Sequence, residues 1–528
     1  MNGIIYTGSF VISSNTIVKA IAYKDGMTDS YIAFNEYKIK AAQPTFSVAS
    51  GTYNNDLNVT ITTSTLGASI YYTIDGSDPS PINGYLYNGP VLISKSLTLK
   101  AVAYKENMEI SNISSAAYNL VVLNPTVSPT FGNISNPTLV SISCSTNGAI
   151  IKYTLDGSIP SINNGDFYTG PILIDKTTTL KIFAYKNGWT SSSLISGRYI
   201  MWSNQVIDSN QGTGQFSSIK RDSNGNIHVA YYDSINKKLK YATNRNGFWE
   251  NFIVDNVSDT GMFANIAIDN DNYVHIVYYD NTNKDLKYAN NKNGSFEINV
   301  LLSENDVGKY ADIAIDLNNK IHIVCYDETN SKLIYLNNLN GNFLTYIVDQ
   351  SNNIGRYCNI EIDNNNGVHI IYYDDNYGAI KYLYSSNGIN WINSYIYYIS
   401  DPITNISFKV DINGKLHISY YDSLNKDLIY LTNKTGTFIS TTIINTNDIG
   451  LYSSIAVDNN GYVFISYYYL TSGDLYFSTN VTGTFVNNAL QTTNNVGMFT
   501  SIDIDQLGRI YISYYDITLN RLLIQFNL

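Results

Sequence analysis

Charge is scarce in this 528-residue chain: 14% of residues are Asp, Glu, Lys or Arg, and acidic residues outnumber basic ones 43 to 32, a net charge of −11. Nucleic acid and anionic membrane surfaces both require a basic patch, so neither is an expected partner. No apolar run reaches the length of a membrane span, which argues against membrane insertion. The opening MNGIIYTGSF also has neither the basic nor the apolar region of a signal peptide. Three cysteines are an odd number. Cys325 and Cys358 fill repeat slots held elsewhere by Tyr and by Ala or Ser, so buried free thiols are expected in place of a disulfide framework. The five histidines all occupy one repeated slot, where a metal or catalytic site would gather different side chains at one point. No metal and no cofactor are expected.

What is abundant is tyrosine and glycine, 47 and 35 residues. Tyr suits a pleated, half-buried surface and Gly supplies tight turns, so the chain reads as all-β. Its organising run is Ile227-His228-Val229-Ala230-Tyr231-Tyr232-Asp233. The closing YYD recurs, with substitutions, at Asp280, Asp327, Asp374, Asp422, Tyr469 and Asp516, in steps of 47, 47, 47, 48, 47 and 47 residues. A constant step of this size is the mark of a repeat architecture.

A second repeat, with a step of 81, fills the first two hundred residues: Tyr23 answers Tyr104 and Tyr185, and Ile70 to Gly76 answers Ile151 to Gly157. Short alternating runs between Gly, Pro, Asn and Ser read as strands of a small sandwich. The runs SGTY (Ser50 to Tyr53), YYTIDGSDPS (Tyr71 to Ser80), YNGPV (Tyr87 to Val91) and LKAVAYKENMEIS (Leu99 to Ser111) resemble the chitobiase or β-hexosaminidase C-terminal type of domain. That resemblance implies immunoglobulin-like β-sandwich spacers on secreted or surface proteins of bacteria. Ile159 replaces Asp78 in the later copy, so a polar role of that Asp is not general. Residues 1–42 supply only the C-terminal half of a module, with 43–121 and 122–202 as full ones. The half module predicts either a fragment boundary at Met1 or completion by a neighbouring chain.

Residues 203–528 carry four apolar runs per unit, seven times over, which predicts a seven-bladed β-propeller. The last unit stops after its third strand. Val206-Ile207-Asp208 lies 47 residues ahead of Ile253-Val254-Asp255, so this N-terminal strand is expected to complete the last blade and close the ring. Units of the form IAID, VHIVYYD, DLKYA and NGSF, as at Ile266 to Phe296, resemble sialidase-like or BNR-like propellers of bacterial surface proteins. The nearest approach to that family's Asp-box, Ser385 to Trp391, has Asn387 and Asn390 and no Asp.

Whatever every blade shares builds the ring; whatever one blade alone has is the better guide to a ligand. Asp222 and its six equivalents begin turns that look like calcium loops but lack a downstream acidic ligand, so turn chemistry is the expected role. The YYD aspartates are expected to cap the next hairpin, with Asn236, Asn283 and Asn425. The resemblance to sialidases implies three arginines around a substrate carboxylate. The propeller has five, Arg221, Arg245, Arg356, Arg509 and Arg521, and Arg245 and Arg509 belong to the rim opposite Arg356. The fourth unit departs furthest from consensus. Arg356, Asp375, Tyr377, Tyr398 and Asp401 are the candidate ligand-binding residues there, with aromatic faces for sugar C–H surfaces and Arg and Asp for hydroxyls or a carboxylate. No catalytic residue is assigned. The expected function is an extracellular or cell-surface binding or adhesion protein: the sandwiches form a stalk, and the propeller is a head for a glycan or cell-surface protein. A carbohydrate-active hydrolase or lyase is the alternative, needing a carboxylate pair such as Glu361 with Asp503 or Asp312. A structural subunit of a filament or tail fibre is the third reading.

Overall fold

Alternating apolar and polar residues over five to nine positions, punctuated by Asn-Gly and Asp-Gly turns, leave the chain no helical period, and the structure is built of strands throughout. The computed structural model describes residues 3–527 apart from Ser135, Asn352, Ser400, Asp401, Pro402, Thr446, Asn447 and Thr482. It divides into two units, residues 1–200 and 201–528.

In the first unit, Thr16–Ala20 and Ala33–Tyr37 form an antiparallel hairpin whose Tyr31 and Phe34 are exposed. The segment after it joins the next module through Glu109 N–H to Ile39 O and Ala41 N–H to Glu109 O. That module packs Val59, Ile61, Ile93, Leu99 and Leu120 around Tyr118, whose hydroxyl donates to Val48 O at 2.8 Å. The following one packs Val140, Ile174, Leu180 and Ile182 around Tyr199, whose hydroxyl donates to Pro129 O at 2.6 Å. Burial lifts the Tyr199 phenol to about 12. The Asp78 to Ile159 exchange has a local meaning. Lys100 pairs with Asp78 at 2.8 Å, whereas Lys181 donates to Gly157 O.

The second unit contains, among the described residues, six four-stranded antiparallel sheets and a last set of three strands that the strand ending at Asp208 extends. The first runs Thr213–Arg221, Ile227–Asp233, Lys238–Thr243 and Glu250–Asp255. The others begin at Thr260, Val307, Ile354, Ile403, Ile449 and Val496. Each innermost strand lies beside the next, and the last beside the first. Closure comes from Trp202–Asp208, which pairs with Arg521–Asn527 in the register Gln205 to Ile524 and Val206 to Leu523. The leftover strand therefore sits where an open edge would otherwise remain.

A backbone device repeated on the inner strands shapes the axis. Gly214, Gly261, Gly308, Gly355, Gly450 and Gly497 have φ between +107° and +116°, and a Cβ on Gly261 would stand 2.8 Å from Leu239 Cα of the preceding sheet. Two residues on, the ladder skips and the chain bulges. Phe216, Phe263, Tyr310, Tyr357, Tyr452 and Phe499 there hold φ of +50° to +54°, a costly conformation for an aromatic residue. The fifth sheet is one residue shorter and places Asn405, at φ +67°, in this position.

Neighbouring sheets are also locked by buried charge. Asp255 accepts from Lys287 Nζ at 2.6 Å and from Tyr278 Oη at 2.8 Å, the partners lying 32 and 23 residues on. Asp208 with Lys240 and Tyr231, and Asp349 with Lys381 and Tyr372, repeat the arrangement. Between the second and third sheets the same slots hold Leu302, Cys325 and Ile334, which pack in one apolar cluster. All three cysteines are free; Cys325 and Cys358 are buried, and Cys144, just past the strand Thr138–Ser143, is partly exposed with its thiol 3.3 Å from Leu123 O.

Candidate functional site

The shared polar residues build the ring. Asp222 accepts from the N–H groups of Asn224 and Asn226, and Asp233 from Asn236 N–H and Nδ2, so both sets of aspartates cap turns. Each histidine is buried against a tyrosine of its own sheet. His275 accepts from Tyr288 Oη at 2.5 Å through Nδ1 and donates to Asp269 at 3.1 Å through Nε2. The partners of these rings are thus the third-strand tyrosine and the turn aspartate. Burial holds His228, His275, His322, His369 and His417 below the usual imidazole range, against the pull of their aspartates, so they stay neutral. Where the histidine is lost its partner changes too: Phe464 stacks on Phe477 and Tyr511 on Phe526. Among the described residues no group of three or more His, Cys, Asp and Glu is placed to hold a metal ion.

The fourth sheet does bring its unusual residues together. Arg356, half-exposed on the inner strand, lies over the Tyr326 ring at 5.8 Å, with Nη2 3.5 Å from Glu328 and Nε 3.8 Å from Asp375. Asp375 and Tyr377 share the turn that Asp374 caps by accepting from Asn376 N–H at 3.0 Å and Tyr377 N–H at 3.3 Å. The other oxygen of Asp374 accepts from Tyr395 Oη at 3.0 Å. Burial, together with Asp374 and Glu328, raises the Asp375 carboxyl, and Arg356 opposes them.

Tyr395 and Tyr398 are three apart, which in a regular strand puts them on opposite faces. A bulge between the pairs Ile380–Tyr397 and Lys381–Tyr395 inserts Ile396 and returns both rings to one face. They stack with centroids 5.6 Å apart and planes 20° from parallel, and Tyr377 meets Tyr395 edge-on at 5.6 Å. Lys381 Nζ lies 4.9 Å from the Tyr395 ring centroid. Tyr377 and Tyr398 are each 66% exposed and Tyr395 38%, a wet aromatic platform beside an arginine–carboxylate cluster. Of the predicted residues, Arg356 joins Asp375, and Tyr377 and Tyr398 both join Tyr395; Asp401 lies outside the described residues. Tyr395 was missed, although its place in the YIYY run was a signal once a bulge is allowed.

Of the carboxylates considered for acid–base work, Asp312 lines a channel surrounded by the inner strands, and Glu361 is ion-paired with Lys409. Asp312 accepts from Ile313 N–H and Ile360 N–H, both at 2.9 Å. Burial and the charge of Glu361 raise its carboxyl to about 6 against those two N–H donors and Lys409. A pKa raised on folding stabilises the protein while the proton is bound. That contribution is complete below the ordinary carboxylate range and lost as pH rises through about 6. Between pH 4 and 7 Asp312 should therefore remove on the order of 1–3 kcal/mol, discounted for water in the channel. Urea titrations of Asp312→Asn should show that slope flattened; an unchanged slope would assign it to another group.

Three of the other four arginines of this unit are held locally: Arg221 and Arg509 pair with Asp505 at 3.2 and 2.6 Å, and Arg521 with Asp516 at 3.5 Å.

Residues 59–118 match the family described as Fn3 associated, and residues 129–196 the chitobiase/β-hexosaminidase C-terminal domain. No curated protein matches the chain. Among solved structures it is similar to an α-L-arabinanase of Penicillium chrysogenum solved with arabinobiose, at 10% identity and a TM-score of 0.41, over 61% of this chain and 97% of that one. It is also similar to the fungal lectin of Aleuria aurantia, described as a six-bladed β-propeller, at 9% identity and a TM-score of 0.38, over 53% and 96%. A protein of unknown function from Dyadobacter fermentans has 12% identity and a TM-score of 0.39, over 61% and 97%. These likenesses concern β-sheet architecture alone.

Proposed function

We propose that this is a non-catalytic carbohydrate-binding protein acting outside a cell or at its surface, with a seven-bladed propeller as its binding head and the sandwich modules of 43–121 and 122–202 as its stalk. The reading rests on the platform of Tyr377, Tyr395 and Tyr398 beside Arg356 and Asp375. Exposed tyrosine faces match the C–H face of a sugar ring, and the adjacent Arg and Asp offer donors and acceptors for its hydroxyls. A hydrolase would need a free carboxylate pair, and Lys409 occupies Glu361.

A glycan array probed with the full chain tests this. Binding to a defined glycan class should fall about ten-fold or more in Tyr395→Ala, whose ring joins the other two. Release of reducing ends from the bound glycan should stay at background. Binding indifferent to Tyr395→Ala, or steady release of new ends, would sink the proposal.

A further inference from the structure

The inner strands surround a cavity, a well on the axis of about 500 Å³, within the range of small-molecule sites. Its mouth is the collar of six aromatic residues, and consecutive rings stand 4.6 to 4.9 Å apart with planes 44–58° from parallel. A seven-fold ring turns each unit by about 51° from the last, so these planes run roughly along the axis. Rings set side by side would need roughly 7 Å between centroids. They therefore stand like vanes, edges inward, and leave the axis open, with the short Asn405 side chain in the seventh place.

Below the collar the wall divides by hydrogen-bonding sense. On one arc, Ser407, Ser454 and Ser501 each accept through Oγ a backbone N–H of the neighbouring sheet, from Ile455, Ile502 and Ile219 at 3.1 to 3.2 Å. A hydroxyl that accepts there keeps its own proton to donate. On the other arc, Asn265 donates Nδ2 to Ala311 O at 2.8 Å, and Asn359 donates to Ile406 O at 3.1 Å. A backbone carbonyl only accepts, so each amide turns its NH₂ to the wall and keeps Oδ1 to accept. Thr404, also in the wall, has a buried Oγ1 with no partner. Such an atom is costly unless something enters to bond it.

We propose that the axial well binds a neutral, monosaccharide-sized polyol, its hydroxyls accepting from Ser407, Ser454 and Ser501 and donating to Asn265 and Asn359. A hydroxyl answers either arc by rotating its proton and can also donate to Asp312, in the wall on the sheet between those of Asn265 and Asn359, whereas a carboxylate meets two amide oxygens and that acid with no proton to give. This site goes beyond the rim cluster and uses none of its side chains.

Saturation-transfer NMR on the full chain, with D-glucose, D-galactose and D-mannitol at about 10 mM and glucuronate and choline as charged comparators, tests it. Transfer to at least one neutral probe is expected to persist in the Tyr395→Ala background, where the rim platform no longer contributes, and to weaken about ten-fold when the Asn265→Leu, Ser454→Val pair is added. Should the pair not fold, Ser454→Ala carries the test, with a loss of about five-fold. No transfer from any neutral probe, transfer lost in Tyr395→Ala but kept in the well variants, or preference for a charged probe would each overturn the assignment. The Tyr395→Ala arm separates failure here from failure of the rim reading.

Discussion

Replacing Asp255 by Ala should cost about 3–5 kcal/mol of folding stability. Asp255 and Lys287 are 1% and 8% exposed at their side chains and bond at 2.6 Å. Without the carboxylate, the ammonium and the Tyr278 hydroxyl lose a shared acceptor and remain out of water. The junction between the second and third sheets supplies the control, since it spans the equivalent gap with Leu302, Cys325 and Ile334. Asp255→Leu combined with Tyr278→Cys and Lys287→Ile should recover stability to within about 1–2 kcal/mol of the parent, because an apolar set of similar shape leaves nothing unpaired. Trp202, Trp249 and Trp391 lie in this unit, so denaturation followed by tryptophan fluorescence reads both variants. A single substitution costing less than about 1 kcal/mol would show the pair to be hydrated like a surface one.

The same locks set the acid limit of the ring. Burial alone would raise the Asp208 carboxyl, but Lys240, Asn210 and Tyr231 outweigh it and hold it below the ordinary range. A pKa lowered on folding gives stability that is present above the unfolded carboxylate range and lost as pH falls through the folded value. The acid-labile contribution of Asp208 thus opposes the neutral-side loss from Asp312.

Gly261→Ala should cost about 2–4 kcal/mol, combining backbone strain with overpacking. Its φ is +112°, and the added Cβ would meet the Leu239 backbone at 2.8 Å, which no side-chain rotation relieves. Gly247 has φ +84° and nothing within 4 Å of a built Cβ. Gly247→Ala should cost only about 1 kcal/mol. Equal losses at the two sites would mean that conformation alone matters and that the close approach between sheets is relaxed. Because Gly261 lies two residues before Phe263, collar packing should also loosen, visible as faster amide exchange on the inner strands.

Strand positions, hairpin turns and the closing role of Val206 to Asp208 were legible because a constant step and two-residue alternation are properties of the chain taken one residue at a time. The departure of the fourth unit was legible for the same reason, as Arg356, Asp375 and Tyr377 break a pattern kept elsewhere. The collar was also written in the chain, as Gly-x-Phe or Gly-x-Tyr in six units. Its meaning was hidden, because no local rule says that a bulge with positive φ turns those rings to a common axis.

The sequence by itself determined a β-repeat protein with sandwich modules ahead of a closed array of sheets, since burying alternate side chains needs only the period. Only the tertiary structure decided which side chains meet. Tyr395 reaches Tyr398 through an inserted residue that reverses a face. Asp255 reaches Lys287 and Arg356 reaches Asp375 because sheets fixed by ring closure bring distant positions within bonding range. The axial well exists because the inner strands of successive sheets surround a space that no single sheet encloses.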